Sequence, residues 1–259
     1  MIGDVVRLAH DRSARGAAGT TARQTPPALL NAQWGGRPAD YEALRDCWLN
    51  RRRLEFLTER LIHLDLPEGS AMLEIGSGTG WLLHRLARRF PRYAFTGVDP
   101  DPTYVRYARD RPAADNEHHV VASGEDLGVL DDRYHVILSN DVLHHVASLE
   151  ATMRAASAVA LEGCRWLAVE PNLLNAYTFV RQRFIPGERN FVPRGALRVA
   201  RANGWHPVGR RYLFLIPPFV KTPPAWMVAV ERRLEPLPPL AGGVCIEWVR
   251  RGRPGRTGG

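Results

Sequence analysis

The chain has 259 residues, of which 45% are hydrophobic, and 35 Lys and Arg against 27 Asp and Glu give a formal net charge of +8. That length suits one elaborated domain, and no apolar stretch reaches the roughly 20 residues that a membrane-spanning helix needs. A basic balance raises nucleic acid, a membrane surface or an anionic substrate as partners, but every basic residue except Lys221 is Arg. Such a bias, in a chain rich in Ala, Gly and Pro, reads as the imprint of a GC-rich genome, and no nucleic-acid partner is expected. Arg51-Arg52-Arg53 and Arg250-Arg251-Arg253 read as solvated faces, because neither is interleaved with aromatics as a stacking platform would be. Cys47, Cys164 and Cys245 are odd in number and widely spaced, which suits reduced thiols. No basic-then-apolar signal pattern opens the chain, so a cytoplasmic location is expected.

In chain order, residues 1–38 are small, polar and aperiodic and predict a flexible arm before one domain over residues 39–259. A helix is predicted from Asp40, with Leu44 and Trp48 on one face and Leu54, Leu57 and Leu61 continuing it. Ala71 to Ile75 reads as a buried strand that ends on Glu74-Ile75 and breaks into Gly76-Ser77-Gly78-Thr79-Gly80. Trp81 to Arg89 follows with helical spacing, its apolar residues at 82, 83, 86 and 87. Strand, glycine loop and helix in that order begin a nucleotide-binding α/β unit, and glycine there lets the backbone approach a ligand. In the dinucleotide fingerprint G-x-G-x-x-G the third glycine falls where this chain has Trp81, and Glu74 would repel a pyrophosphate. A ligand with an ammonium and no phosphate fits better.

At these residues the chain resembles the class I methyltransferases that use S-adenosylmethionine (SAM). Their first motif, E/D-x-G-x-G-x-G, is matched by Glu74, Gly76, Gly78 and Gly80, with Ser77 inside the loop. The resemblance implies a Rossmann-like α/β fold, a seven-stranded and mostly parallel sheet with helices on both faces and an antiparallel last strand. It also implies SAM as cofactor.

Tyr93 to Asp99 is a second strand, and Asp99 falls 23 residues after Gly76, near the offset of roughly 20 at which a ribose-binding carboxylate is expected. In the family the next residue, here Pro100, packs on adenine. His119 to Ala122 predicts a third strand before Ser123-Gly124-Glu125-Asp126. The family often has Asp where Ser123 stands, which moves the adenine contact to Glu125 or Asp126. Tyr134 to Asn140 predicts a fourth strand, with Asn140 at the cofactor. The residues after it resemble the small-molecule branch rather than the [ND]-P-P-[YF] of base and glutamine methylation.

The resemblance puts His144 and His145 at a helix start where the family's pocket opens beside the methyl group; pointing about 100° apart, one of them is expected to serve as general base, the alternative being a structural role for both. Adjacent histidines make a poor metal site, and no metal is expected. Arg165 to Glu170 predicts a fifth strand. Beyond it come a short helix at 173–180, a loop at 181–190, a helix at Pro193 to Ala202, a sixth strand at Trp205 to Ile216, a helix near Met227 to Leu234 and a last strand at Val244 to Val249. Segments 173–195 and 217–240 are assigned to the substrate side as insertions or a lid, with edge cover preferred over contact with a membrane surface. Tyr177, Arg181 and Arg183 are candidate substrate contacts; Trp48 or Arg45 could touch the cofactor.

The leading expectation is methyl transfer from SAM to a small-molecule acceptor, most readily at a hydroxyl of a secondary metabolite, sugar or lipid-linked compound. The alternatives are an NAD-dependent oxidoreductase and a SAM-binding module without catalysis.

Overall fold

The computed structural model describes residues 37–112, 114–184 and 193–252. The arm predicted for residues 1–38 falls almost wholly outside them, and at Pro38 a helix has already begun. Helix α1 (Pro38–Arg45) and helix α2 (Trp48–His63) precede the first strand. The single helix predicted from Asp40 is thus two, because Cys47 is extended (φ −135°) and caps α2 instead of continuing α1. Asn50 holds the break by donating from Nδ2 to the Arg45 carbonyl at 3.0 Å.

Five parallel strands follow: β1 (Ala71–Ile75), β2 (Ala94–Asp99), β3 (Glu117–Val121), β4 (Tyr134–Asn140) and β5 (Ala160–Pro171). Between them lie α3 (Trp81–Arg89), α4 (Pro102–Asp110) and α5 (Leu149–Val159). The chain continues through α6 (Ala176–Phe184), α7 (Pro193–Ala202), β6 (Trp205–Leu213), α8 (Ala225–Leu234) and β7 (Gly243–Arg250). Helix α6 runs four residues beyond its predicted end, and residues 185–192 of the predicted loop lie outside the described residues. The sheet order is β3-β2-β1-β4-β5-β7-β6, with β7 antiparallel to both of its neighbours. This is the Rossmann-like sheet expected, with its antiparallel last strand.

Strands covered on both faces alternate between two cores. Leu73, Ile75, Ile137 and Trp166 point to one face, where Trp166 meets Trp205 and Trp248 edge to face at 5.1 and 5.5 Å. Met72, Phe95, Leu138 and Leu167 point to the other, under Phe56, Leu57 and Leu61 of α2 and Trp81 and Leu83 of α3. The strand order reverses direction between β1 and β4, and such a switch opens a crevice beyond the strands' carboxyl ends. Asp99, Asn140 and Glu170 come to that edge because each stands at or next to a strand's last residue.

Arg52 and Arg53, read as part of a solvated face, are buried at 7% and 4% exposure. Their partners come from distant elements. Arg52 donates to Glu235 from Nη2 at 2.8 Å and from Nε at 3.2 Å, and Arg53 donates to Asp141 at 2.6 Å. Glu235 also accepts from the Phe214 backbone N–H, and Glu231, four residues earlier on α8, accepts from Leu215 and Ile216 at 2.9 Å and from the Trp48 indole at 2.6 Å. Two carboxylates one turn apart thereby bind segment 214–216 to α2. Phe214 has φ +68°, a conformation that a bulky residue adopts only when its surroundings enforce it.

The three cysteines are free and buried, and no helix among the described residues is long and apolar enough to cross a membrane.

Glu235→Ala leaves Arg52 buried without its main partner and should cost about 3–5 kcal/mol in urea unfolding. Replacing both groups, Arg52→Met with Glu235→Leu, should recover most of that loss.

Candidate functional site

The crevice beyond the strand ends is a cavity of about 1040 Å³, at the upper end of the roughly 300–1,000 Å³ usual for ligand sites. One part of its wall comes from the glycine loop, the ends of β2 and β4, and α1. Gly76, Gly78 and Gly80 have φ of +72°, +54° and +70°, so the loop runs in the left-handed region that glycine tolerates. A Cβ on Gly76 would lie 2.3 Å from Val142 Cγ2. Gly80 has a different task. A Cβ there would lie 2.5 Å from the His119 ring, and Gly80 is not part of the cavity wall; its carbonyl accepts from Arg111 at 2.6 Å.

Asp99 accepts from the Gly78 N–H at 2.8 Å through one oxygen and from the Asp101 N–H at 2.9 Å through the other. Each carboxylate oxygen can accept a second bond. Burial raises its pKa to about 6 against the lowering effect of those N–H groups. Glu74 is 3% exposed and stands behind the cavity wall rather than in it, and burial pushes it to about 8 although Arg45, Asn140 and Arg53 pull the other way. One Glu74 oxygen is 3.4 Å from Asn140 Nδ2. Its other oxygen and Asn140 Oδ1 are buried without hydrogen-bond partners among the described residues. Arg45 lines the same region and donates to the Tyr41 hydroxyl.

Pro100, Ser123, Gly124, Glu125 and Asn140 also line the cavity. Glu125 accepts from the Ala147 N–H at 2.8 Å and so braces the turn before α5. Ser77 is buried in the loop away from the main cavity, and Asp126 is exposed outside its wall. Trp81 opens α3 at 5% exposure, packed in the core with the Arg85 guanidinium 4.0 Å above its ring. Trp48 is outside the wall, at Glu231.

His144 and His145 do not begin a helix. Residues 141–147 form a turn, and α5 starts at Leu149, where Ser148 caps it by accepting from the Ala151 N–H. Asp141 at φ +54° turns the chain, and its N–H bonds to the Val169 carbonyl at 2.8 Å. The two imidazoles lie 3.9 Å apart with planes tilted by 44°, so the 100° helical separation does not apply; both line the cavity.

Glu170, fully buried, accepts from the Val142 and Leu143 N–H groups at 3.2 and 2.9 Å and meets His144 Nδ1 at 2.7 Å. Burial would raise the Asp141 carboxyl, yet Arg53, His144 and Arg45 hold it below the usual carboxylate range. Glu170 ends a predicted strand, which was its only signal in the sequence; Arg53, Asp141 and Gln182, all in the cavity wall, gave none.

The remaining wall comes from parts of both segments assigned to the substrate side. Tyr177, Arg181 and Gln182 of α6 contribute, as do Phe214 to Phe219 and Leu240. The side chain of Arg183 lies outside the described residues.

Residues 72–163 match the family model described as "Methyltransferase domain". A malonyl-acyl-carrier-protein O-methyltransferase of Priestia megaterium is 27% identical over 126 residues, 49% of this chain and 45% of that one. The chain thus spans less than half the length of that curated relative. A SAM-dependent methyltransferase from Archaeoglobus fulgidus superposes with a TM-score of 0.58 at 14% identity, covering 86% of this chain and 98% of that one. Geranyl diphosphate C-methyltransferase from Streptomyces coelicolor, solved with Mg2+, geranyl diphosphate and S-adenosyl-L-homocysteine, gives a TM-score of 0.59 at 16% identity and 78% of each chain.

Gly76→Ala should lower both stability and occupancy of the cavity, since a stiff valine cannot swing away from the new methyl. Adding Val142→Ala should relieve the clash and leave about 1–2 kcal/mol from the left-handed backbone, readable as a partial recovery in thermal unfolding.

Proposed function

We propose that this chain, whose residues 72–163 match a methyltransferase domain, acts as a class I SAM-dependent methyltransferase and transfers a methyl from SAM to a hydroxyl of a small-molecule acceptor. The observation that carries this reading is the His144–Glu170 pair, at 2.7 Å, in the wall of the same cavity as Asp99 and Asn140.

The residues present fit the cofactor. Asp99 retains one acceptor position on each oxygen for two ribose hydroxyls. The unpartnered Asn140 oxygen in the wall, with the unpartnered Glu74 oxygen behind it, suits a cationic amino group, and Arg45 suits a carboxylate. When bound, SAM would supply a sulfonium-activated methyl for the acceptor oxygen to take, the C–S electron pair leaving with sulfur. His144, with Nδ1 committed to Glu170, takes the acceptor's proton at Nε2 and passes it to solvent. Glu170 fixes the ring's tautomer and orientation and stabilises the imidazolium while the proton is held. Alignment of the acceptor in the cavity contributes several kcal/mol besides.

His144→Ala should lower kcat about 100-fold or more, the usual range for a general base starting near that figure, with SAM affinity kept within a few-fold. A loss below about 10-fold, followed with labelled SAM across an acceptor panel, removes His144 from this role. His145→Ala is the matched control.

SAM affinity should also depend on pH. Glu74, raised to about 8, is largely protonated near neutrality. A cation beside it favours the carboxylate, so binding releases a proton. Affinity then rises with pH up to about 8, by at most ~10-fold per unit for one proton, and levels off above. Calorimetry in buffers of different ionisation enthalpy counts the proton, and Glu74→Gln should flatten the rise.

A further inference from the structure

The cavity wall changes character between its inner and outer parts. His144, Glu170 and Gln182 are 3%, 0% and 5% exposed, whereas Tyr177, Phe219 and Leu240, in the same wall, are 60%, 76% and 42% exposed. These polar groups are buried, beside the equally buried Phe214 and Ile216, and the large apolar groups stand at the mouth, with Arg181 the exposed charge among them. A polar acceptor such as a sugar would have to shed its water past those apolar groups and gain nothing from them. A molecule with a polar end and an apolar tail fits in one orientation only, polar end inward.

Gln182 adds an independent observation. Both atoms of its amide are buried without hydrogen-bond partners among the described residues. Buried amides left in that state are rare in folded proteins and mark a ligand's place. An amide offers a donor and an acceptor side by side: its N–H suits a carbonyl or carboxyl oxygen near the reacting hydroxyl, and its oxygen suits an O–H beside that group.

We infer that the acceptor is an amphiphile: its hydroxyl lies at His144, a carbonyl or carboxyl group pairs with Gln182, and its apolar tail leaves the cavity across Tyr177, Phe219 and Leu240. The position of the hydroxyl rests on the methyl-transfer reading; the tail site does not.

Two homologous series test this, n-alkyl 4-hydroxybenzoates and straight-chain 3-hydroxyalkanoic acids. Binding is measured calorimetrically in the presence of S-adenosyl-L-homocysteine, where no turnover occurs, and product is measured separately with labelled SAM. The dissociation constant should fall about 2- to 4-fold per added methylene, the upper figure corresponding to full burial of each group, until the tail passes the mouth. Phe219→Ser with Leu240→Ser should flatten that dependence while affinity for S-adenosyl-L-homocysteine holds, which shows that the fold is intact. Gln182→Leu should weaken every member of a series by about 10-fold without changing its slope.

Affinities constant within 2-fold in both series, absence of binding in both, or an undiminished slope in the Phe219 and Leu240 variant would each overturn the inference. Length-dependent binding without labelled product would support the tail site and count against methyl transfer.

Discussion

One buried carboxylate governs the side of the cavity that carries the histidines. Glu170, one residue before the end of β5, has no solvent of its own and gathers two backbone N–H groups of the turn after β4 together with the His144 ring. A carboxylate so placed is stable only when its oxygens are met by donors, and the turn is stable only when its N–H groups find acceptors. Each thus satisfies the other, and the imidazole is fixed as part of that arrangement. The constraint extends outward through charge. Asp141 begins the turn and meets Arg53 of α2; Arg52, the next residue back, meets Glu235 at the end cap of α8; Glu235 and Glu231 hold segment 214–216. Four distant parts of the chain reach the cavity through one run of buried ion pairs and hydrogen bonds.

In and just behind the cavity wall, carboxylates of the same chemistry are pushed in opposite directions. Glu74 and Asp99 are raised because burial outweighs the donors around them, while Asp141 is lowered because Arg53, His144 and Arg45 outweigh burial. The site therefore holds groups ready to gain from a cation at one end and a settled anion at the turn that carries the histidines. A zwitterionic ligand oriented by such a wall has little freedom to bind reversed.

The sequence disclosed what is encoded locally. Glu74, the three glycines and Asp99 lie on one strand-loop-helix-strand unit, so spacing alone brought them together, and the alternation of strand and helix through Glu170 followed from periodicity. What it hid depends on partners far along the chain. Arg52 and Arg53 look like surface charge until Glu235 and Asp141, 183 and 88 residues away, are seen beside them. His144 looked helical because nothing nearby announces that Asp141 turns left-handed and that Glu170 takes the N–H groups a helix would have used. Gln182 was illegible for a similar reason: an amide on a helix becomes noteworthy only when its burial and its missing partners are known.

The adjacency of Arg52 and Arg53 has a consequence for how such a chain can vary. Consecutive residues on a helix point about 100° apart, and here each direction has its own acid, at the end cap of α8 and in the turn after β4. Insertion or deletion of one residue within α2 ahead of this pair would rotate both guanidiniums off their acids at once, leaving two buried cations and the buried Glu235 without their partners. Among related chains, α2 should then keep its length from Trp48 to Arg53 even where the two arginines have been exchanged together with their acids for apolar groups, while gaps collect in loops that carry no buried charge.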